Sequence, residues 1–528
     1  MTPSPSSTQL ARQLVQDLIG IGVREAVLSP GSRSGPLALA LAAADAAGAL
    51  RAHVRIDERS AGFLALGLSK TSHRWVPVVT TSGTAVANLH PALLEAKHAG
   101  VRLLALSADR PARLRGTGAN QTTNQVEFFP GIPYGDAGII GFLGGLPTGP
   151  AQFNVELDEP LLEPIDWVFE PSSEHEKPAR DRPAGTPVPV DGGTVVVAGD
   201  DSGPRARIFA QDAGLPLLAE PSSGARNGYN PIVAYRLLLA HAPVARRITR
   251  VVAFGHPTLS RPITTLLGRT DIDVLVAADD LSGFPHPPGH ALAVGRHPSP
   301  DGSAEPEWLD SWLESDRLAT AAIDGVLDGT TPYDVARTVS AAVPPEGLLF
   351  VGSSNPIRDL DLVSRPYTVG ERRLVIANRG LSGIDGTVSS AIGAALARSS
   401  SRSLAYMGDL TFLHDVNGLL IGPGEPRPDL TVVVASDDGG SIFSTLEQGG
   451  PEYAASFERV YATPTGASIA GVCAAYGVPH RLATPIELAA ALDEPTKGIR
   501  VIEVPLARDN RRDVTARLSE AVRTALTR

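Results

Sequence analysis

Two short apolar segments of the chain each end in residues that offer oxygen ligands. Gly408 and Asp409 follow residues 404–407, and Asp437 follows residues 430–435, 28 positions after Asp409. Both segments are predicted to be buried strands, and the crevice beyond the carboxyl ends of parallel strands is where ligands bind. A hard cation such as Mg²⁺ prefers carboxylate and carbonyl oxygens together with phosphate oxygens. The spacing therefore predicts a cation site, although two ordinary turns, in which Asp and Gly are common, are an alternative.

The second candidate is Glu58, a carboxylate at the start of another predicted helix, and its role is suggested by what the Asp409 motif resembles. That motif resembles the diphosphate anchor of thiamine diphosphate enzymes, in which Gly-Asp is followed at a similar distance by an asparagine pair. That cofactor needs one carboxylate facing its aminopyrimidine ring nitrogen, to stabilise the imino tautomer. Glu58 is placed for this role between a predicted strand, 51–56, and a predicted helix, 61–68. A glutamate at a helix N-terminus can instead serve only the helix dipole.

Composition excludes several classes of protein. The 528 residues are 43% hydrophobic and 20% charged, and no run approaches the roughly 18 apolar residues of a membrane span. The formal charge of −11 argues against general nucleic-acid binding. Residues 1–7 do not resemble a secretory signal. The single cysteine, Cys473, excludes internal disulfides and a cysteine-based metal site, so we expect a cytoplasmic protein.

Short apolar strands alternate with helical segments along the whole chain, which is typical of doubly wound parallel sheets. Proline-rich stretches at 170–189 and 296–307 divide the chain into three α/β blocks, of which the first and third look alike. Capped helices are predicted to begin after Ser6 and Thr331, and another helix near Thr411. Strands are predicted at residues 25–28, 51–56, 76–80, 101–106, 154–157, 194–198, 251–255, 274–277, 348–351, 374–377, 404–407, 430–435 and 501–504.

Polar turns follow the predicted strands of the first block. The turn at 29–36 combines glycines, serines and Arg33, whose backbone N–H and guanidinium groups suit an anion. Three further turns, at 81–85, 109–111 and 118–122, repeat this pattern. A surface arginine in a salt bridge is the alternative for Arg33 or Arg110 taken singly. Four such turns at one sheet edge favour a ligand site.

Two turns of the third block offer hydroxyl and backbone donors that suit a diphosphate. They lie at 352–358 and 378–386, each after a predicted strand. Ile384 is an apolar residue within a polar turn and could hold two linked rings apart. Ile442 and Phe443 could line an apolar wall beside such a ligand. The alternatives are a plug over the end of the sheet for Ile384 and ordinary helix core for the other two.

The strings at 29–33, 57–59, 81–88, 118–122, 378–386 and 408–417 together resemble the family of 2-succinyl-5-enolpyruvyl-6-hydroxy-3-cyclohexene-1-carboxylate synthases. These are the thiamine diphosphate enzymes of menaquinone biosynthesis. The resemblance implies three domains of the thiamine diphosphate decarboxylase type: pyrimidine-binding at 1–175, central at 190–325 and diphosphate-binding at 331–528. It implies a transferase that decarboxylates 2-oxoglutarate and adds the succinyl carbanion equivalent to isochorismate in 1,4 fashion. It also implies a homodimer or homotetramer with its active sites between subunits.

The same resemblance implies the roles of individual residues, with Glu58 as the catalytic carboxylate. The metal, Mg²⁺ or Mn²⁺, would be held by Asp409, Asp437 and the carbonyl of Gly439. Asp437 stands where the family pattern has asparagine, and its charge would lie beside the diphosphate. The cofactor would contact Glu58, Ser82, Ser354, Ser382, Gly383, Ile384, Gly408, Asp409, Leu410, Ile442 and Phe443. The substrates would contact Ser32, Arg33, Arg110, Asn120, Gln121, Arg261, Arg358 and Arg379.

Two other functions stay open at this point. One is another thiamine diphosphate decarboxylase or carboligase such as an acetolactate synthase, against which the strings at 29–33 and 118–122 argue. The other is a sensor that binds the cofactor without catalysis. The presence of Glu58 argues against a sensor, because cofactor binding alone does not require this carboxylate.

Overall fold

Three parallel β-sheets form the framework of the protein in a computed structural model that describes residues 5–163, 169, 185–284, 291–495 and 497–527. The chain divides into two compact units. The first unit consists of Met1–Ala179, Gly380–Ser399 and His414–Pro428. The second unit consists of Arg180–Arg379, Ser400–Leu413 and Asp429–Arg528. The boundaries of the three domains stay a prediction.

The first unit holds a six-stranded parallel sheet with the strand order β2-β1-β3-β4-β6-β5. Its strands are β1 (Glu25–Leu28), β2 (Arg51–Val54), β3 (Val76–Thr80), β4 (Leu103–Asp109), β5 (Tyr134–Gly135) and β6 (Ala151–Glu156). The helices of this stretch are α1 (Ser7–Gly20), α2 (Gly35–Ala46), α3 (Glu58–Ser72), α4 (Thr84–Ala87), α5 (His90–Ala99) and α6 (Ile139–Gly144). The predicted capping box begins α1, because Ser6 and Gln9 exchange side chain-to-backbone hydrogen bonds.

The second unit contains a five-stranded parallel sheet with the order β12-β11-β10-β8-β9. The strands of this stretch are β7 (Thr186–Pro189), β8 (Thr194–Ala198), β9 (Leu217–Ala219), β10 (Arg250–Phe254), β11 (Asp273–Val276), β12 (Ala291–Ala293) and β13 (Pro298–Asp301). Its helices are α7 (Pro204–Asp212), α8 (Tyr235–His241), α9 (Arg261–Leu267) and α10 (Pro306–Asp324).

Strands β7 and β13 pair with each other in a separate two-stranded sheet. Both lie within the proline-rich stretches that were expected to divide the chain into blocks, at 170–189 and 296–307. Each strand carries prolines, which an isolated pair tolerates because an edge strand leaves half of its N–H groups without a partner strand. Residues 170–184 of the first stretch lie outside the described part of the chain.

The second unit also contains a six-stranded parallel sheet with the order β15-β14-β16-β17-β19-β18. Its strands are β14 (Leu348–Val351), β15 (Leu374–Ala377), β16 (Ser403–Gly408), β17 (Leu430–Ser436), β18 (His480–Leu482) and β19 (Ile499–Pro505). The helices of this stretch of the chain are α11 (Pro332–Ala341), α12 (Asn355–Val363), α13 (Thr387–Ala397), α14 (Asp409–His414), α15 (Ala454–Phe457), α16 (Ile469–Ala475), α17 (Leu488–Asp493) and α18 (Arg511–Thr527). Among them, α13 belongs to the first unit. Counted from its own first strand, the strand order of this sheet is that of the first sheet.

The shared strand order defines one switch point in each of the two six-stranded sheets. In the first sheet, β2 lies on one side of β1 and β3 lies on the other side, so the strand order reverses between β1 and β3. In the third sheet, the order reverses in the same way between β14 and β16. The crevice beyond the carboxyl ends of such a strand pair is the usual ligand site of an open α/β sheet. The turns or helix starts after these four strands carry Ser32, Ser82, Ser354 and Asp409, all of them predicted site residues.

Helices α3 and α13 pack closely within the first unit because glycines lie at their contact. A Cβ atom on Gly67 would lie 2.0 Å from the carbonyl oxygen of Ser390, and one on Gly393 would lie 2.1 Å from that of Leu64. The hydroxyl of Ser390 donates to the carbonyl of Phe63 at 3.1 Å. The helix that begins at Glu58 is therefore fixed against a segment that follows it by more than 300 residues. In the described ranges, no helix is long and apolar enough to cross a membrane.

Candidate active site

Glu58 is the first residue of α3, and its side chain is half-buried. Asp57 caps the helix, because its Oδ1 accepts the N–H of Ser60 at 3.2 Å. Glu58 itself accepts a long hydrogen bond of 3.5 Å from Nδ2 of Asn88. Since a good hydrogen bond of this kind is about 2.9 Å, the Glu58 carboxylate retains capacity to accept a stronger one. A carboxylate that must face a cofactor ring nitrogen needs this capacity.

The turns after β3 and β4 bring three predicted residues into one hydrogen-bonded group. Arg110 donates from Nη1 to the hydroxyl of Ser82 and to the carbonyl of Gln121, both at 3.0 Å. The same hydroxyl donates to the Gln121 carbonyl at 2.8 Å. Gln121 has a φ of +53°, a strained conformation for a residue with a side chain and one that clusters at functional sites.

The remaining predicted residues of the first block do not join that group through a described hydrogen bond. Arg33 donates to the carbonyl of Leu157 at 2.9 Å, and its guanidinium lies 3.6 Å from the carboxylate of Glu159. Its Nε atom is buried without a hydrogen-bond partner. Ser32 and Asn120 are exposed. The side chain of Arg33 thus faces the end of β6.

The turn between β15 and α13 is held by a carboxylate that sequence reasoning missed. Glu95 of α5 is 4% exposed. Its two carboxylate oxygens accept the N–H groups of Gly380, Leu381 and Ser382, at 2.6, 2.7 and 3.3 Å. This turn carries Ser382, with a φ of +61°, and continues into Gly383 and Ile384. Nothing local in the sequence indicates the role of Glu95, because its partners are 285–287 residues away.

In the second unit, two predicted arginines lie close enough to influence each other. Burial, together with the positive charges of Arg379 and Arg236, lowers the pKa of Arg358 to about 10. Arg358 donates to the carbonyl of Ser354 at 2.8 Å, and Arg379 donates to the hydroxyl of Thr258 at 3.1 Å. A partly desolvated group of like charges is stabilised by a carboxylate ligand. Arg236 was not predicted as a member of this group.

Arg261 lies at the start of α9 and is exposed. Its guanidinium forms an ion pair with the carboxylate of Glu447 at 3.1 Å, and both side chains are about 70% exposed (73% and 70%). An exposed pair of this kind contributes little to stability. The guanidinium of Arg261 can therefore exchange Glu447 for another anion at small cost, and its role in substrate binding stays a prediction.

The three predicted metal ligands lie at the ends of β16 and β17. Asp409 is buried, and its Oδ2 accepts the N–H of Gly439 at 2.9 Å. Burial, together with the negative charge of Asp409, raises the pKa of Asp437 to about 7. Burial likewise raises the pKa of Asp409. Two neighbouring carboxylates that are costly to ionise, next to a backbone carbonyl, are a donor set that suits Mg²⁺ or Mn²⁺.

Within the described ranges, no group of three or more His, Cys, Asp or Glu side chains is arranged to hold a metal ion. A cation at Asp409 and Asp437 would therefore depend on oxygens of another kind, such as the Gly439 carbonyl and the phosphates of a ligand. A cavity of about 520 Å³ opens beside Asp437. Its lining is mostly acidic and consists of Asp437, Asp438, Ser444, Phe457, Glu458, Arg508 and Asp509. A polyanion would enter this cavity only together with a cation.

The turn after β14 is linked to the turn after β17 by a short polar chain. Asn355 donates to the hydroxyl of Ser441 at 2.8 Å, and Ser441 is hydrogen-bonded to the side chain of Asp437. Ser354, immediately before Asn355, has a φ of +73°. The half-buried predicted residues Ile442 and Phe443 follow Ser441 directly. Asn355 and Ser441 were not predicted, although each adjoins a residue that was.

Two protein-family models match the chain. The model described as "Thiamine pyrophosphate enzyme, N-terminal TPP binding domain" matches residues 8–128. The model described as "Thiamine pyrophosphate enzyme, C-terminal TPP binding domain" matches residues 362–504. The first range includes Glu58, Ser82 and Arg110, and the second includes Asp409 and Asp437. Apart from Ser354, the predicted cofactor residues thus lie in stretches that match thiamine diphosphate-binding domains.

Curated relatives match almost the entire chain. A 2-succinyl-5-enolpyruvyl-6-hydroxy-3-cyclohexene-1-carboxylate synthase from Nocardioides sp. is 52% identical over 98% of both chains. The synthase of the same name from Kineococcus radiotolerans is 46% identical over 98% of this chain and 99% of its own. Among solved structures, benzoylformate decarboxylase from Polynucleobacter necessarius has a similar fold, with a TM-score of 0.64 and 18% identity over 96% of this chain and 99% of its own. The chain therefore belongs to the 2-succinyl-5-enolpyruvyl-6-hydroxy-3-cyclohexene-1-carboxylate synthase family of thiamine diphosphate-dependent enzymes.

Proposed function

We propose that the protein decarboxylates 2-oxoglutarate and adds the succinyl unit to isochorismate in 1,4 fashion. The products are 2-succinyl-5-enolpyruvyl-6-hydroxy-3-cyclohexene-1-carboxylate and CO₂, so the protein acts as a transferase of menaquinone biosynthesis. The observation that carries this proposal is the full-length identity of 52% to a synthase of that name. The charge of the site supports it, since both substrates are dicarboxylates and several predicted substrate residues are arginines.

Thiamine diphosphate, when bound, supplies an electron sink at the carbon that loses CO₂. Glu58 would hold a proton at the ring nitrogen of the aminopyrimidine, for which its weakly engaged carboxylate is suited. Asp409, Asp437 and the Gly439 carbonyl would hold Mg²⁺ or Mn²⁺ against the diphosphate. Ser82, Ser354, Ser382, Gly383, Ile384, Gly408, Leu410, Ile442 and Phe443 would complete the cofactor contacts.

Arginines on separate turns would bind the substrate carboxylates. Arg358 and Arg379 repel each other in the second unit, and a carboxylate between them would relieve this repulsion. Arg110 in the first unit donates to Ser82 and Gln121 from one nitrogen, Nη1. The other N–H groups of its guanidinium would bind a substrate carboxylate. Ser32, Arg33, Asn120, Gln121 and Arg261 would provide further contacts.

The proposal includes a homodimer or a homotetramer, in which Glu58 of one chain and Asp409 of another serve the same cofactor. It also includes a cytoplasmic location, which the single cysteine supports because disulfides are rare in that compartment. The assembly follows from the family resemblance. Size measurement in solution and fractionation of cells that express the protein would test the assembly and the location.

One assay distinguishes the proposed reaction from the alternatives. The purified protein is incubated with thiamine diphosphate, Mg²⁺, 2-oxoglutarate and isochorismate, and the adduct is detected by mass spectrometry together with released CO₂. Parallel reactions contain pyruvate in place of 2-oxoglutarate, or lack isochorismate. We expect the adduct only with both proposed substrates. Acetolactate from pyruvate would support an acetolactate synthase, and saturable cofactor binding without turnover would support a sensor.

A further inference from the structure

The first turn of α3 is hydrogen-bonded to residues 414–417 of the same unit, a segment that begins at the last residue of α14. Asp57 accepts a hydrogen bond from Nδ2 of Asn417 at 2.8 Å. Arg59 donates to the carbonyl of His414 at 2.8 Å, and its other terminal nitrogen lies 3.1 Å from Nδ1 of that histidine. The residues on either side of Glu58 are therefore both bonded to this segment.

The buried centre of this contact is Asp415, whose side chain is fully enclosed. Its Oδ1 accepts from the hydroxyl of Ser60 at 3.2 Å and from the hydroxyl of Ser389 at 3.1 Å. Its Oδ2 accepts the N–H of Ser389 at 2.7 Å. Burial raises the pKa of Asp415 to about 7, while these hydrogen bonds and the positive charge of Arg59 oppose the rise. Asp415 thus joins the first turn of α3 to the first turn of α13.

This arrangement matters for Glu58 because the hydrogen bond described for its own carboxylate is long and weak. This bond, from Asn88, is 3.5 Å long. The direction of a side chain at the start of a helix follows from the backbone of the first turn. Here the side chains on both sides of Glu58, those of Asp57, Arg59 and Ser60, are hydrogen-bonded to the 414–417 segment and fix the first turn against it. A displacement of the carboxylate by about 1 Å can cost roughly 100-fold in rate.

We propose that the 414–417 segment positions the Glu58 carboxylate, with Asp415 and Asn417 as the positioning residues. The proposal rests on the proposed function of Glu58 toward the aminopyrimidine. Neither residue needs to touch cofactor or substrate. Their effect is exerted through Asp57 and Ser60, and it is visible in the cofactor before any substrate is added.

The test follows exchange of the C2 proton of bound thiamine diphosphate for deuterium, measured by NMR on holoenzyme saturated with cofactor and Mg²⁺. Glu58→Gln is the reference and should slow exchange roughly 100-fold. Asp415→Ala should slow exchange roughly 10- to 100-fold, and Asp415→Asn should restore most of the rate because its amide oxygen can still accept from Ser389. The double variant Ser60→Ala/Asn417→Ala removes the hydrogen bonds of Ser60 to Asp415 and of Asn417 to Asp57, and it leaves the buried N–H of Ser389 paired. This variant decides the question if Asp415→Ala does not fold.

The matched control is Asp316→Asn in the second unit. Asp316 is also a buried aspartate that accepts two backbone N–H groups, those of Val233 and Ala234, at 3.1 and 2.7 Å. Its substitution should lower the melting temperature without slowing exchange. Wild-type exchange in the double variant, beside slow exchange in Glu58→Gln, would overturn the positioning role and leave the proposed function intact. Equal slowing by Asp316→Asn would show that general destabilisation is enough to slow exchange, and would overturn the positioning role. Normal exchange in Glu58→Gln would overturn both proposals.

Discussion

Among single residues, Asp409 and Asp437 are two neighbouring carboxyl groups that are costly to ionise in the folded protein. Burial raises the pKa of both carboxyls, and their mutual repulsion adds to the shift at Asp437. A divalent cation removes this cost, and the diphosphate then binds to the cation. We predict that Asp409→Ala abolishes saturable binding of thiamine diphosphate at ordinary Mg²⁺ concentrations. Asp437→Asn should bind nearly normally, because asparagine is the usual residue of the family pattern.

Titration of the cofactor in the presence and absence of Mg²⁺ measures this difference. Asp429→Ala is a suitable control, since Asp429 is an exposed aspartate of the same unit that caps the N–H of Gly498. Its affinity for the cofactor should match that of the wild type. Equal damage from Asp437→Asn and Asp409→Ala would show that the metal ligands are assigned incorrectly.

Arg110 offers a test of substrate recognition with a control in the same loop. A guanidinium can hold Ser82 and Gln121 and still present two parallel N–H groups to a carboxylate, which lysine cannot do. Loss of one charge-assisted pair costs about 1.5–3 kcal/mol, or roughly 10- to 100-fold. We predict that Arg110→Lys lowers kcat/KM for isochorismate by this factor and spares cofactor affinity. Arg113→Lys, which alters an exposed pair with Asp158, should leave both unchanged in steady-state kinetics.

Glu220, the residue after β9, should make the stability of the protein depend on pH. Burial raises its pKa from 4.5 to about 8, and the negative charges of Asp361 and Asp200 contribute. The N–H of Leu259 and the charge of Arg379 act in the opposite direction. Between these two pKa values the folded state binds one more proton at Glu220 than the unfolded state. The contribution of Glu220 to the free energy of unfolding is therefore fully present below pH 4.5 and is lost as the pH rises towards 8.

We predict that Glu220→Gln removes this component of the pH dependence. Relative to the wild type, the variant should gain stability by up to about 1.4 kcal/mol for each pH unit between pH 5 and 8. Urea unfolding of both proteins at several pH values in this range provides the measurement. Curves that stay parallel across the range would show that Glu220 keeps an ordinary pKa in the folded protein.

At the level of elements, the contact of α3 with α13 should tolerate no added atom. A Cβ on Gly67 would approach the carbonyl of Ser390 to 2.0 Å, and overpacking of this kind costs about 1–3 kcal/mol. We predict that Gly67→Ala lowers the free energy of unfolding in urea, although alanine is the better helix former. Gly141→Ala in α6 is the control, because a Cβ there meets nothing within 4 Å. It should be neutral or stabilising.

The strands that the sequence predicts with their correct bounds are apolar runs of four or five residues. Strands β3, β8, β14 and β15 have the predicted bounds, since each is a run of apolar residues between polar turns. Strands of two or three residues, such as β5, β9 and β12, escaped prediction because so short a run carries no periodicity. The helix expected to begin near Thr411 begins two residues earlier, because α14 spans Asp409–His414.

The candidate site was predictable where it follows a strand and unpredictable where it depends on distant partners. The turns with Ser82, Arg110 and Asp409 could be found because they end apolar strands. The contacts of Glu95 with Gly380 and of Ser60 with Asp415 join residues 285 and 355 positions apart. No local pattern encodes such pairs, since any buried carboxylate on a helix looks alike in sequence. Only the folded structure of the first unit reveals them.

For the whole molecule, the proposed assembly predicts that two inactive variants can rescue each other. If Glu58 and Asp409 of different chains serve one cofactor, a mixed dimer of Glu58→Gln and Asp409→Ala chains contains one site with both residues intact. We predict partial recovery of activity when the two variants are mixed under conditions of subunit exchange. Each variant mixed with itself is the control. A monomer that is fully active at nanomolar concentration would contradict the assembly.

The common strand order of the first and third sheets has a consequence for the ancestry of the chain. Such identity of order is what the duplication of one ancestral sheet leaves behind. The segments after β1 and β14 are then sister segments; the first carries Arg33 in a turn, and the second carries Arg358 in the first turn of α12. The residues after β3 and β16 are also sisters but have diverged, one to the neutral Ser82 and the other to the acidic Asp409. The two copies have thus divided between them tasks that two identical ancestral chains would have had to share.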